Sequence, residues 1–388
     1  MSSKISRRFA LSLLTALSLS SGLSGVSIAA NDAKGAKGVK EVKVGVILPL
    51  TGATATFGQE SLNGLKLALE QSAKEAPQLK MQVEDTQGTP AGAAAAVNKL
   101  ISTDKVAVII GEVASSNTIA ASTAAQSAQI PLMTHASTND AITIGKDFIS
   151  RICFVDSFQG AVMAKFAAGE LKAKTAAVLV DSDSDYSRGL RDSFVATFKE
   201  AGGKIDDKLV ISYSQKDRDF KTQLMKLRRA KPDVVFVPGY YTQVGAILRQ
   251  AKELKLKAKF LGTDGWDSPD LFKIAGDAAA GHYVSSHFAA DDTDPRVKQF
   301  VQEYKARNKE NPGAMAALGY DAGFFMKEAV KKAGSNNPLK IRDAISAMKD
   351  FDGITGKITL DKNRNAVKPA VIVMTTEKEF KFFSRVNP

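Results

Sequence analysis

The run Val44-Gly45-Val46-Ile47-Leu48, followed by the loop Thr51 to Phe57 and by leucines at 62, 65 and 69, decides the fold. Five apolar residues in succession fit a strand covered on both faces, as in a parallel sheet between helices. Leucines spaced three and four apart mark one face of a helix. The unit then repeats. Met81 to Glu84 alternates like a strand, with Val97, Leu100 and Ile101 behind it at helical spacing. Val106 to Ile110 is followed by an Ala/Ser-rich segment from Asn117 to Gln126, and Ile130 to Met133 and Ile149 to Phe154 complete a first set. A second set begins near Phe158, with strands at Ala176–Val180, Lys208–Tyr213, Asp233–Val237, Lys259–Gly262 and Gly281–Ser285. Helical stripes lie between them, such as Leu190, Phe194, Val195 and Phe198.

Two consecutive sets of β-α units imply an α/β protein of two doubly wound lobes. The tail differs: helical stripes at Val297, Phe300, Val301, Tyr304 and at Ile341, Ile345, Met348 precede a hairpin-like end. There Lys357–Leu360 is expected to pair with Val371–Met374, followed by Phe380–Phe383. With too few strands for a third domain, the tail should recross and extend both lobes. The expected partition is residues 41–153 with 285–352 in lobe 1, and 154–284 with 353–388 in lobe 2.

The chain has 388 residues, 44% hydrophobic and 24% charged, an ordinary globular composition. One cysteine, Cys153, excludes an internal disulfide framework and multi-cysteine metal sites. The three histidines (His135, His282, His287) show no metal-ligand spacing. No metal or cofactor is expected. Residues 1–30 read as a secretory signal peptide: Lys4, Arg7 and Arg8, an apolar stretch from Phe9 to Leu19, and a small-x-small site at Ser27-Ile28-Ala29. Ser6-Arg7-Arg8-Phe9 half-resembles a twin-arginine signal. With no cysteine near the cleavage site for a lipid anchor, the mature protein is expected to be soluble in the periplasm and a monomer. Removing residues 1–30 takes away Lys4, Arg7 and Arg8 and no acid, so the formal net charge falls from +12 to +9. The lysines are scattered along helices without interleaved aromatics, a solvated basic face rather than a nucleic-acid site.

In open parallel sheets, ligands sit beyond the carboxyl ends of the strands. Those positions are Thr51–Phe57, Glu112–Thr118, Thr134–Asn139, Asp181–Arg188, Gly239–Gln243 and Thr263–Trp266, mostly hydroxyl-rich and with a lone carboxylate at Asp264 in the last. Ser115 and Ser116 open a helix, where they fit either an N-cap or, with free N–H groups, a carboxylate site. The loop His135 to Asn139 carries the same two readings. Asp264-Gly265 fits a turn, or a carboxylate that receives an ammonium group. Tyr186, Tyr240, Tyr241 and Phe57 fit packing or a binding wall. Phosphate-cradling glycine loops and a GxSxG nucleophile elbow are missing from the sequence. Asp181-Ser-Asp183-Ser-Asp185 imitates a calcium loop, but Tyr186 stands where glycine is needed and Asp192 where glutamate is. Ser102-Thr-Asp-Lys105 matches SxxK without its companion motifs.

Together these loops resemble those of the periplasmic leucine/isoleucine/valine-binding proteins, type I solute-binding subunits of ABC importers. The matching stretches are Leu50–Gly58, Gly111–Thr118, Ala136–Asn139, Arg151–Gly160, Asp185–Gly189, Phe236–Tyr241 and Gly262–Gly265, in order along the whole mature chain. The resemblance implies a type I periplasmic binding protein fold with a multi-crossover hinge. It implies that Ser115 and Thr138 serve the ligand carboxylate, that the backbone of Ala136 and the acid Asp264 hold the ammonium, that Tyr186 and Tyr240 close over the ligand, that Phe57 lines the side-chain pocket, and that Ser137 is among the ligand-binding residues. It also implies permease and ATPase partners in the membrane. The chain departs from the family at three places: Asp264 where glutamate is usual, Arg188 beside Tyr186, and Glu112 at the mouth of the serine loop.

The expected function is capture of a small zwitterion, most simply a branched-chain or other hydrophobic amino acid, for delivery to a permease. Amides, urea, amines and aromatic acids are the alternatives within the family. A ligand sensor for a receptor is a rival of the same shape. A secreted hydrolase is the rival of a different class, with His135 beside Thr134 as its one candidate base.

Overall fold

A computed structural model describes residues 39–388; the expected signal peptide lies outside the described residues. Each apolar run quoted above overlaps a strand. β1 (Glu41–Leu48) sits inside an all-parallel five-stranded sheet, in the order β2 (Gln78–Asp85), β1, β3 (Val108–Gly111), β4 (Leu132–Thr134), β5 (Ile149–Arg151). The second sheet has a parallel core of β6 (Ala176–Asp181), β7 (Val210–Tyr213), β8 (Val234–Phe236), β9 (Lys259–Gly262) and β10 (Tyr283–Ser286), in the order β7-β6-β8-β9-β10. β14 (Ala370–Thr375) and β15 (Phe380–Val386) add to its β10 edge as antiparallel strands. A small third sheet joins β11 (Phe351–Gly353), β12 (Gly356–Leu360) and β13 (Ala366–Val367).

Both parallel sheets reverse strand order once, between β1 and β3 in the first and between β6 and β8 in the second. These are the topological switch points, where flanking helices lie on opposite faces and leave a crevice at the strand ends. Helix starts are encoded locally. Thr89-Pro90, Ser268-Pro269, Asp294-Pro295 and Asn337-Pro338 each place a capping side chain ahead of a proline at the first helical turn.

The expected pairing of residues 357–360 with 371–374 does not occur. β12 pairs with β11 and β13, whereas β14 pairs with β10 and β15. A turn at Asp361–Asn365 folds the chain back on β12 for only two residue pairs. Lys368 and Pro369 then carry it to the other sheet, where Ala370–Val373 are wholly buried and suit an interior strand. Alternation along a strand marks its faces and says nothing of its partner. Residues 351–367 hydrogen-bond to Thr143, Ile149, Arg151 and Asp321, around the first sheet.

Helix Ala55–Gln71, which carries Phe57, crosses helix Ala314–Ala333 in near backbone contact. A Cβ on Gly64 would lie 1.9 Å from the Ala316 carbonyl oxygen, and one on Gly319 2.2 Å from that of Ser61. Among the described residues, no helix is long and apolar enough to cross a membrane. In an exposed helix Gly→Ala stabilises by up to about 1 kcal/mol. Gly64→Ala is expected to do the reverse and lower stability by about 1–3 kcal/mol, because backbone must move apart. Urea unfolding of ligand-free protein reads the sign directly.

Candidate functional site

The loops after β3 and β4 are built around one buried acid. The Glu112 carboxylate accepts from the Thr86 hydroxyl at 2.5 Å, the Ala114 N–H at 2.7 Å and the Asn117 amide at 3.2 Å. Burial raises its pKa, and these donors oppose the rise. Its backbone carbonyl accepts the hydroxyls of Thr134 (2.6 Å) and Ser137 (2.8 Å), which stitches the two loops together. Glu112 is thus turned into its own loop. Arg151, fully buried at the end of β5, completes the frame by donating to the carbonyls of Ser137 (3.1 Å) and Asn139 (2.7 Å).

That frame sorts the predicted hydroxyls by availability. Ser137 is consumed by Glu112 and by Thr118, 2.5 Å away. Ser115 opens helix Ser115–Ser127 without capping it; the N-cap is Ala114, which makes no side-chain cap bond. The Ser115 hydroxyl accepts from the Asn139 N–H at 3.2 Å and keeps its own proton to donate. Thr138 is buried, with its hydroxyl unpartnered. In the same loop the cap falls to Asn139, which receives the Ala141 N–H. Ala136 lies buried between, its N–H directed to Thr134. Two free hydroxyl protons beside an uncapped helix N-terminus suit a carboxylate.

The second lobe contributes the opposite charge. Asp264, 2% exposed, opens a short 3₁₀ turn after β9. Its carboxylate faces three donors: Tyr186 OH at 2.7 Å, the Gln159 amide at 3.0 Å and His287 Nε2 at 3.2 Å. Tyr186 also accepts from the Gly265 N–H at 2.8 Å and meets the Thr263 hydroxyl at 2.7 Å. Having one proton, it gives that to Asp264 while Thr263 donates to it. Burial pushes the His287 imidazole down, so the ring, stacked on Phe154 at 3.7 Å, donates as a neutral group. Among the described residues, neither lysine nor arginine pairs with Asp264. Asp156, at the start of helix Asp156–Gly169, is likewise buried, with both oxygens unpartnered. Burial, with the nearby Asp264 and Asp140 charges, holds its pKa well above the usual range, and the neighbouring Thr138 hydroxyl opposes the rise.

The two sets of loops meet. The Ser116 hydroxyl donates to Asp185 Oδ2 at 2.8 Å and accepts the Asp185 N–H at 3.0 Å, and Asn139 donates to the Asp185 carbonyl at 2.8 Å. Thr56 bonds Asp270 at 2.5 Å, and Thr242 bonds the Ala53 carbonyl at 2.8 Å. Phe57 sets its ring edgewise against Tyr240 (6.1 Å) and Tyr241 (4.9 Å), while Tyr240 stacks on Tyr186 at 5.2 Å. The aromatic wall therefore begins in the first lobe and ends at the carboxylate of the second. Arg188 pairs with Asp185 at the rim, on the latch rather than in the crevice. Arg151, Gln159 and His287 were not singled out from sequence. Arg151 and Gln159 lie in the family-like stretch Arg151–Gly160 and His287 just after an apolar run, but nothing in those positions gives their partners.

The profile of the periplasmic binding protein family matches residues 41–380. The chain belongs to that family. A leucine-, isoleucine-, valine-, threonine- and alanine-binding protein of Pseudomonas aeruginosa is 31% identical over 83% of this chain and 86% of its own length. A leucine-binding protein of Thermotoga maritima superposes with a TM-score of 0.86 at 36% identity, covering 89% of this chain and 99% of that one. A branched-chain amino acid transporter substrate-binding protein of Streptococcus pneumoniae, solved with isoleucine, gives 0.83 at 29% identity over 90% and 100%. The fold is the type I periplasmic binding protein fold, with two α/β lobes.

His135 lies beneath the site. Its Nε2 meets the Ser61 hydroxyl at 2.9 Å, while Nδ1 has no partner to orient the ring. The pair ties helix Ala55–Gln71 to the Thr134–Asn139 loop. Burial pushes the imidazole down to about 3. The native state stays neutral while the unfolded chain takes up a proton near pH 6.5, the unperturbed value. Stability from this group is complete above that value and declines as pH falls toward 3, by up to about 1.4 kcal/mol per pH unit. His135→Asn should lose less stability than the parent between pH 7 and pH 5. Denaturant unfolding at both values checks this, and equal pH slopes contradict a neutral buried ring.

Proposed function

We propose that this chain is the periplasmic solute-binding component of an ABC importer and captures a zwitterionic, hydrophobic amino acid between its lobes. The observation that carries the reading is Asp264, a carboxylate buried where the lobes meet, with three neutral donors and no cation. A buried charge without a counter-charge is costly, and the ammonium of an amino acid removes the cost. The free hydroxyls of Ser115 and Thr138, with the helix N-terminus beside them, receive the carboxylate. Ala136 adds a backbone carbonyl for the ammonium, and Ser137 holds the loop in shape. Phe57, Tyr240 and Tyr186 enclose the side chain. Closure excludes water and strengthens the charge-assisted bonds. Nothing is made or broken; the closed form is what a membrane permease, driven by its ATPase, would accept.

The signal-peptide reading of residues 1–30 and the description of the family support a periplasmic setting. In this reading the lobes exchange chain after Cys153, after Ser286 and at Lys368. Hydrogen bonds linking residues 354, 355, 364 and 365 to Thr143, Ile149 and Asp321 support placing the last crossing at Lys368 rather than at the expected 352–353.

Refolded, ligand-free protein is to be screened by thermal shift against amino acids, amides, amines and aromatic acids, then titrated by calorimetry. A leucine-like amino acid should raise the melting temperature by mass action. Asp264→Ala should cost about 2–5 kcal/mol of its affinity by stranding a buried ammonium. Binding of aromatic acids alone, with affinity unchanged in that variant, overturns the amino-acid reading. Ser116→Ala removes the latch to Asp185 and nothing from the crevice. It should weaken binding by about tenfold or less, mainly through faster release, as loss of one charge-assisted bond implies; stopped-flow dissociation measures it.

A further inference from the structure

A pocket of about 250 Å³, partly open to solvent, lies between the lobes, and neither Asp264, Ser115, Thr138 nor the aromatic wall lines it. Glu60 reaches it from helix Ala55–Gln71 of the first lobe, and Asp267 from the turn after β9 in the second. Glu60 is 4% exposed and its Oε2 has no hydrogen-bond partner. Asp267 has partners, the Ser286 hydroxyl at 2.8 Å and the Ala314 N–H at 3.1 Å, both uncharged. The two carboxylates converge: a Cβ on Gly313 would stand 2.8 Å from Glu60 Oε2 and 2.9 Å from Asp267 Oδ1. Glu310 adds a third acid at the edge, and Phe272, Phe288 and Phe380 supply aromatic walls, with Phe272 and Phe380 in edge contact at 4.9 Å. Among the described residues, Lys378 is the one basic residue lining the cavity, and it is exposed.

We propose that this cavity is a binding site for a small organic ammonium ion, held by Glu60 and Asp267 and walled by the three phenylalanines. The alternatives fit less well. A calcium-like cation needs six or more oxygens, and among the described residues no group of three or more candidate ligands is gathered for a metal. An alkylammonium needs only one or two carboxylates and gains from aromatic faces. Burial and the neighbouring Asp267, Glu310 and Asp270 charges push the Glu60 pKa well up, and Asp267 is raised to about 6. Both groups thus lack the positive charge that would relieve them. Because one carboxylate comes from each lobe, an occupant bridges the lobes, and by linkage it and the crevice ligand should favour one another.

The test is calorimetric titration of the full-length mature protein with tetramethylammonium and putrescine, using tert-butanol as the neutral control. Both cations should bind and the alcohol should not. Glu60→Gln should weaken the cations at least about tenfold, as loss of a desolvated charge pair implies. Ser115→Ala, an uncharged change at the crevice, should alter them by less than about threefold, since Ser115 lies outside the cavity. Gly313→Ala, which puts a methyl between the carboxylates, is the second variant should Glu60→Gln unfold on circular dichroism, and it too should abolish binding. Absence of cation binding overturns the proposal. So does binding that survives Glu60→Gln and Gly313→Ala, or binding that Ser115→Ala alone removes. A chain that fails to bind amino acids yet binds these cations keeps this site while losing the amino-acid reading.

Discussion

The organisation of the crevice follows from one electrostatic constraint: an aspartate is buried at the seam between two lobes and surrounded by groups that can only donate neutral hydrogen bonds. Tyr186, Gln159 and His287 hold the Asp264 carboxylate without cancelling its charge. Each donor comes from a different part of the chain, so the carboxylate fixes the ends of two helices and of β10 relative to β9. Across the seam the first lobe supplies hydroxyl protons and an uncapped helix end. A field of this kind, negative on one wall and positive on the other, suits a dipolar guest and suits a singly charged one less well.

The fold puts those walls opposite one another by topology. Each parallel sheet has its switch point at the strand ends that carry the site: Phe57 follows β1 and Ser115 follows β3, while Tyr186 follows β6 and Tyr240 follows β8. The glycine contacts between helices Ala55–Gln71 and Ala314–Ala333 matter for the same reason. They seat the helix that carries Phe57, and they bind to the first lobe a stretch of chain that has already visited the second.

Much of this architecture was legible in the sequence. Buried parallel strands announce themselves as unbroken apolar runs, and the loops between them show hydroxyls where a crevice must lie. Phe57, Ser115, Thr138, Tyr186, Tyr240 and Asp264 were nominated from position and from resemblance; in the structure Phe57, Tyr240, Tyr186 and Asp264 form one run of contacts, and Ser115 and Thr138 stand on the neighbouring loops after β3 and β4. The tail was misread because nearness along the chain suggested a hairpin, whereas β12 alternates and β14 is a run buried on both faces that belongs inside the other sheet, beside β10. Arg151, Gln159 and His287 escaped for a related reason. Each acts by reaching a carbonyl or a carboxylate on another loop, a relation that no local pattern encodes. Glu112 was noticed but its direction was not, since the sequence does not say that its donors are Thr86 and Asn117.

The column Phe57–Tyr240–Tyr186 is split between the lobes, with its first ring on one and the other two on the other. An open protein therefore has no complete wall against which to gauge a side chain; the gauge exists only once the halves have met. Poorly fitting guests would enter about as fast as good ones and differ in how long the halves stay together. Discrimination would then be written in dwell time rather than in encounter, which is the interval a membrane partner has in which to take delivery.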